Sequence, residues 1–453
     1  MRIGLVGWGL ETKSAYEYFG PDNDYLIVSE EPKPDFPTES DKLKIQSLNG
    51  ERNPGLTGNV DDLSYMDGID KCDKIVYTTP AAKNIEKKFG HDKHFWAKAT
   101  TIQHIFFENV KSKNIIGVTG TKGKGTTSAL IYGMLNGAGK RTFLGGNIGK
   151  PVLDFIHEIQ PDDWVVLELS NFQLYNLTYS PHIAVCLMIA PEHMDWHPDV
   201  QDYIEAKGNL FRHQKPNDVA IYFENNEHSK YIAGFSPGIK IPYFYKPGAF
   251  VRADRKIVIG EEEVEIIGLS NIKLLGAHNW ENICAALTAV WQVSQNVDAF
   301  SKVLSTFGGL EHRLEFVREL EAVKYYDDSF GTNPDTAAVA LRALIEPVVL
   351  ILGGHDKGLD YTALIKEITG QEKVRHIITI GEIGPTLAEM LRARDFDSIT
   401  EGLKTMPEIV ADATAHAQPG DAVLLSCGTS SFGLFKDYKD RGIQFKQAVQ
   451  ALA

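Results

Sequence analysis

The chain is poor in residues that would staple or anchor it. Its 453 residues include four cysteines, Cys72, Cys186, Cys284 and Cys427, each more than ninety positions from the next and none in a CxxC pair. That spacing argues against a zinc site or a disulfide framework and fits a reducing compartment, with the thiols as small core residues. Long apolar runs are also missing. The longest, residues 183–190, has eight residues, whereas a membrane helix needs about 20. Residues 1–10 lack a basic stretch ahead of an apolar one, so no secretory leader is read and the chain is expected in the cytoplasm. Dense basic runs are absent too. Lysine plus arginine total 46 against 60 acidic residues, a net charge of −14, so no membrane span and no nucleic-acid partner are expected. An acidic surface of this kind suits a soluble monomer.

What remains is an ordinary globular composition, 43% hydrophobic and 23% charged, in a chain long enough for about three domains at roughly 150 residues each. Three stretches begin with a β-branched apolar run that ends at glycine and then turns to helical spacing, the alternation of parallel α/β sheets. The first opens at Arg2, turns at Gly7-Trp8-Gly9, continues as a helix over 12–19 and returns as strands at 25–28 and 74–77. The second begins at Ile115, with strands at 164–169 and 182–188 and antiparallel strands within 256–275. The third follows Gly308-Gly309, with strands near 323–326, 348–352, 374–380 and 422–425 and a helix over 334–345. The expected division is 1–105, 106–309 and 310–453.

The densest chemical signal is Gly120-Thr121-Lys122-Gly123-Lys124-Gly125-Thr126 between a strand and an apolar helix over 128–135. Glycines let backbone N–H groups close on phosphate oxygens, the helix adds its positive end, and Lys124 adds a point charge. The run departs from GxxxxGK[ST], with Val118 at the first glycine and Gly125 where a hydroxyl residue would stand, a role left to Thr126. Glu168 and His193 each follow an expected strand. Ligands of open α/β sheets sit beyond the carboxyl ends of strands, so both should share the rim of the phosphate loop and could hold a hard cation there. The first stretch carries half a dinucleotide fingerprint, Gly7-Trp8-Gly9 with Glu30 and Glu31 about twenty residues on, but its third glycine falls at Thr12. Asn279 and Asn282 open an apolar helical run, where either could be an N-cap. Lys207, from its own surroundings, is a solvated helix lysine.

Taken together, Gly120 to Lys124, Gly145 to Gly149, Leu167 to Gln173, Glu192 to Asp195, Ala206-Lys207, His278-Asn279, Gly309 to Arg313, Asp328-Ser329, Gly353-Gly354 and Lys357 resemble the Mur ligase family, in order and spacing over nearly the whole chain. The runs Ser170 to Gln173 and Leu424 to Phe432, followed by Phe435 to Tyr438 and Arg441-Gly442, resemble the members that add D-glutamate. The resemblance implies an α/β protein of three domains: a Rossmann-like N-terminal domain for a UDP-sugar, a central P-loop NTPase-like mononucleotide-binding domain for ATP, and a Rossmann-like C-terminal domain for the amino acid. It implies that ATP phosphorylates the carboxylate of UDP-N-acetylmuramoyl-L-alanine and that the amine of glutamate attacks the acyl phosphate. Lys124 and the loop from Gly120 to Thr126 would hold the phosphates. Glu168, His193 and Thr126 would hold Mg2+, and a carbamate on Lys207 a second Mg2+. Asn282, Arg313 and Asp328 would contact ATP. Gly9, Leu10, Asn147, Ser170 and Gln173 would bind the UDP-sugar, and Thr332, Lys357, Ser431, Phe432 and Tyr438 the glutamate. Binding elements on separate domains imply closure before chemistry.

The chain departs from the family's pattern at four places. Gly125 stands for a hydroxyl residue, Asn171 for the second serine of Leu-Ser-Ser, Phe330 for the lysine of Asp-Ser-Lys, and Ser29-Glu30 for an Asp-Thr pair. The alternatives are a related ligase that adds L-glutamate to the same precursor or to a folate, and a catalytically silent nucleotide-binding homologue. A folate ligase has no need of the N-terminal strand-glycine unit.

Overall fold

Apolar runs become strands buried on both faces, because helices cover each side of the parallel sheets they enter. Ile115–Thr119, Val348–Gly353 and Ala422–Leu425 are buried at every position. The computed structural model describes residues 1–30, 36–47, 62–194, 196–274, 276–370 and 372–452. Glu31 and Asp195, both singled out above, lie outside the described residues, as does Leu275 at the end of the expected antiparallel stretch. The chain forms two compact units, one of residues 1–272 and 277–306, the other of 273–276 and 307–453.

In the first unit, a five-stranded parallel sheet runs in the order Leu43–Ser47, Asp24–Ser29, Arg2–Val6, Lys74–Tyr77, Ala99–Thr100. A six-stranded parallel sheet follows in the order Ile239–Tyr243, Val219–Phe223, Ile183–Cys186, Ile115–Thr119, Trp164–Glu168, Thr142–Gly146. Its central strand, Ile115–Thr119, has Trp164–Glu168 on one side and Ile183–Cys186 on the other. The carboxyl ends of all three therefore open on one edge, and the connections leave in opposite directions from it, the usual place for a ligand crevice. A three-stranded antiparallel sheet, Phe250–Val251, Lys256–Ile259 and Val264–Gly268, completes the unit. One apolar core containing Ile3, Phe106, Val165 and Tyr203 runs through both parallel sheets.

The second unit is a six-stranded sheet in the order Glu315–Leu320, Val323–Asp327, Ala422–Leu425, Val348–Gly353, Val374–Ile380, Ile399–Glu401. Only its first strand pairs antiparallel. Separate cores fill its two faces, one around Leu350 and Leu424, the other around Ile378 and Phe445. All four cysteines are buried and free.

Some boundaries shift. The helix after the glycine loop begins at Lys124 and runs to Gly137, so the loop lysine sits in the first turn. The helix His278–Trp291 is preceded by Ala277, not by an asparagine. Asn279 and Asn282 are buried inside its first turns and bond each other, Asn282 Nδ2 donating to Asn279 Oδ1 at 2.9 Å. The N-cap reading of either is corrected.

Candidate active site

Gly120 and Gly123 take φ values of +148° and +85°. A Cβ on Gly120 would come within 2.7 Å of Leu187 Cβ, and one on Gly123 would run into the Asn282 carboxamide. Only glycine allows the loop to lie this close to its neighbours. Thr121 fastens it: its N–H donates to Met188 O (2.8 Å), its hydroxyl donates to Ala190 O (2.9 Å) and lies 3.0 Å from Tyr203 OH. The helix that follows has no side-chain cap, so its N-terminal end can stabilise an anion.

Two ammonium groups meet at this loop. Lys124 Nζ donates to Gly120 O and Thr121 O, both at 3.0 Å, and Lys207 Nζ donates to the same Gly120 O at 2.9 Å. Lys207 comes from the helix Val200–Arg212, is 1% exposed, and lies 4.7 Å from the Tyr203 ring centroid. Burial, then repulsion from Lys124, drive its ammonium well below the usual lysine range. It is not a solvated helix lysine.

Glu168, the last residue of its strand, is 3% exposed. Its Oε1 accepts from Asn147 Nδ2 (2.9 Å), and its backbone carbonyl accepts from Asn147 N–H (2.9 Å). Its Oε2 is buried with no hydrogen-bond partner, as are Thr127 Oγ1 and Ser128 Oγ. A buried carboxylate oxygen without a partner is costly unless a cation or donor completes it. As a hard oxygen donor at the phosphate rim, it fits the Mg2+ that such a site would use. Thr126 is half-buried and Gly125 buried.

His193 adopts φ +60°. Its ring packs against Phe172 (centroids 4.9 Å apart), and its Nε2 lies 3.8 Å from Glu192 Oε2. Glu192 is held by Lys122, Nζ to Oε1 at 2.7 Å. Burial opposes its charge, but the Lys122 ammonium outweighs burial and keeps its carboxyl below the usual range. Beside Phe172, Asn171 Nδ2 meets buried His197 Nε2 at 2.8 Å, and His197 Nδ1 meets Asp202 Oδ2 at 2.7 Å.

Ser170 and Gln173 form a capping box at the short helix Asn171–Leu174. Gln173 Nε2 also donates to Glu11 Oε1 (2.7 Å), an oxygen shared with Gln103 Nε2 (2.7 Å). This ties the central rim to the helix Leu10–Phe19, which Gly9 precedes. Thr12, at the third-glycine position, uses its hydroxyl on Gly7 O (2.9 Å) and on Gly9 N–H (3.1 Å). Leu10 is 74% exposed. Glu30 Oε1 is taken up by Asn84 Nδ2 and lies 3.5 Å from Tyr65 OH.

In the second unit, Asp327 ends the strand Val323–Asp327 and Asp328 follows it. Asp327 Oδ2 lies 2.7 Å from His312 Nδ1. Asp328 accepts from Ser426 Oγ (2.7 Å) and Leu314 N–H (3.1 Å), and burial pushes its carboxyl up to about 7. Arg313 stacks over the Phe330 ring, its Cζ 3.7 Å from the centroid, and Phe330 meets Tyr438 edge-on at 5.1 Å. Lys357 Nζ reaches Thr332 O at 3.5 Å. Ser431 is buried and Phe432 exposed. Arg441, fully buried, donates to Ser329 Oγ and Ser329 O (2.8 Å each) and to Thr429 O (3.2 and 3.3 Å).

Residues 118–290 match the Mur ligase middle domain, and residues 312–428 match the Mur ligase glutamate ligase domain. A UDP-N-acetylmuramoylalanine--D-glutamate ligase of Acetivibrio thermocellus is 36% identical over 400 residues, covering 86% of this chain and 84% of that one. The chain belongs to the Mur ligase family. A similarly named ligase of Clostridium kluyveri is 32% identical, covering 99% of this chain and 96% of its own. Among solved structures, the UDP-N-acetylmuramate-alanine ligase of Thermotoga maritima shares the fold with a TM-score of 0.59 at 15% identity, over 100% of this chain and 99% of that one. The MurF ligase of Thermotoga maritima, solved in complex with ADP, does so at 0.57 and 16%, over 100% and 95%. Within the Mur ligase fold, three residues to which motif reading gave no role carry part of the geometry: Tyr203 at the loop and the pair His197 and Asp202. The second histidine of His193-Met194-Asp195-Trp196-His197 was the one available hint among them.

Proposed function

We propose that the protein is an ATP-dependent amide ligase adding D-glutamate to UDP-N-acetylmuramoyl-L-alanine, with release of ADP and phosphate, in cytoplasmic synthesis of a peptidoglycan precursor. The observation that carries the ligase reading is the gathering of Lys124 and Lys207 at Gly120 O, beside an uncapped helix end and a buried carboxylate with an unsatisfied oxygen. The choice of D-glutamate rests on the relatives' names and on their coverage of the chain.

In the first step a carboxylate oxygen of the precursor bonds to the γ-phosphorus of ATP and the bond to ADP breaks. In the second the glutamate amine attacks the acyl carbon, phosphate leaves and the amine loses a proton. Lys124 and the loop N–H groups offset charge on the β- and γ-phosphates. When bound, Mg2+ supplies further charge compensation, with Glu168, His193 and Thr126 as holders of one ion and a carbamate on Lys207 as holder of a second. Lys207 is suited to that modification because burial and Lys124 lower its pKa and so favour the uncharged amine, which can bond to CO2 and release a proton.

We assign Gly9, Leu10, Asn147, Ser170 and Gln173 to the UDP-sugar, and Asn282, Arg313 and Asp328 to ATP. Thr332, Lys357, Ser431, Phe432 and Tyr438 are assigned to glutamate. Residues 1–105, 106–309 and 310–453 are the corresponding functional divisions of a monomer. Among the described residues no helix is long and apolar enough to cross a membrane. The test is phosphate release from ATP with Mg2+ and UDP-N-acetylmuramoyl-L-alanine, with D-glutamate, L-glutamate or neither, and mass spectrometry of the product. Release that requires D-glutamate, with a product heavier by one glutamyl residue, is expected. Release with L-glutamate alone overturns the stereochemical assignment, and no release with either overturns the ligase.

A further inference from the structure

On the second unit's sheet, toward the end opposite the loops that carry Lys357 and Ser431, two histidines and an aspartate converge. His376 lies on the strand Val374–Ile380, and Asp412 and His416 lie on the helix Met406–His416. The two imidazoles stack with centroids 3.7 Å apart and planes 3° from parallel. His376 Nε2 and His416 Nδ1 face one carboxylate oxygen, Asp412 Oδ2, at 3.6 and 3.5 Å. That oxygen is buried and accepts no hydrogen bond. We propose that His376, Asp412 and His416 form a binding site for a late first-row divalent cation of the Zn2+ type, separate from the ligase site.

Three features support the assignment. Ligand atoms of a tetrahedral ion with bonds of about 2.0–2.1 Å lie about 3.4 Å apart, close to the 3.5 and 3.6 Å that separate the two nitrogens from Asp412 Oδ2. His376 Nδ1 lies 2.9 Å from Ser398 Oγ. With Nδ1 donating there, the ring is fixed and Nε2 carries the lone pair, the arrangement usual for a metal-bound histidine. Thr400 Oγ1, 3.0 Å from Nε2, donates to that lone pair until an ion takes it. Imidazole lone pairs lie in the ring planes, so the His416 ring must leave the stack and its 2.9 Å contact with Asp412 O for both rings to face one ion, and its side chain, 42% exposed, has room to turn. Two imidazoles and one carboxylate suit Zn2+ or Co2+ better than Mg2+ or Ca2+.

The experiment is titration of the EDTA-treated full-length protein with Co2+, followed by the visible bands of tetrahedral cobalt, and with Zn2+ by calorimetry. It is run on the wild type, His416→Gln and Asp412→Asn, with His91→Gln as a control in the first unit. About one equivalent bound by the wild type and by the control, and lost in both site variants while their thermal transitions persist, is expected. His416 is exposed, so its variant should fold even if Asp412→Asn does not. No binding by the wild type, or binding retained in a folded variant of either site residue, overturns the proposal.

Discussion

Lys124 and Lys207 donate to one and the same carbonyl oxygen, Gly120 O, at 3.0 and 2.9 Å. Burial and the neighbouring Lys124 both disfavour the charged form of Lys207, an arrangement that costs stability and has no structural need. Lys207→Met removes a buried amine whose charge the site disfavours, while nearly preserving volume, so it should leave thermal stability equal or raise it. The same change should lower kcat by at least about 100-fold, the scale seen on removing one preorganised charge-stabilising group. Parallel melting curves and turnover assays check the split. A variant that lost stability in proportion to activity would assign Lys207 to the fold alone.

Phe330 holds Arg313 by its ring face. A cation–π contact of about 1 kcal/mol converts to about a fivefold change in affinity. Phe330→Leu should raise KM for ATP by about that factor with kcat little changed. Phe330→Lys sets a second positive charge against Arg313 and should be worse than Phe330→Leu. Steady-state kinetics over an ATP series distinguish them.

Lys357 is exposed and contacts only the backbone of Thr332 in the described hydrogen bonds. Its assigned role is to balance a carboxylate of glutamate. Lys357→Ala should raise KM for glutamate far more than KM for ATP, and equal effects on the two would remove it from the glutamate assignment.

Asp328 makes stability depend on pH in a defined direction. Its carboxyl is raised from 3.8 to about 7, chiefly by burial. The folded state therefore holds a proton that the unfolded state has released between those values. The contribution of Asp328 to stability is complete below about pH 4 and falls as pH rises toward 7, at up to about 1.4 kcal/mol per unit. Asp328→Asn has no proton to lose and should remove this part of the slope. Urea unfolding of both proteins at several pH values between 4 and 8 measures it, and identical slopes would contradict it.

The central strands were legible because each is a buried apolar run, and the loop after Thr119 because glycines flank its lysines. Most strands missed are sheet edges: Leu43–Ser47, Ala99–Thr100, Thr142–Gly146, Ile239–Tyr243, Glu315–Leu320 and Ile399–Glu401. An edge strand is short and partly exposed, so lysine, glutamate and glycine dilute its apolar pattern. Val219–Phe223 is an interior exception, since a five-residue apolar run cannot be told from a buried helix segment by periodicity. Lys207 was illegible from its neighbours. Its burial depends on Tyr203 one turn before it and on Gly120, 87 residues away. The Asn171 to His197 link, across 26 residues, was invisible for the same reason.

Arg441 joins Ser329 and Thr429, loops that leave two neighbouring strands. Its guanidinium is wholly enclosed, so neither loop can open without stripping a buried charge of its acceptors. The segments carrying Asp328 to Thr332 and Gly428 to Phe432 therefore belong to one cooperative opening unit, and their amides should exchange with solvent together, as a single foldon.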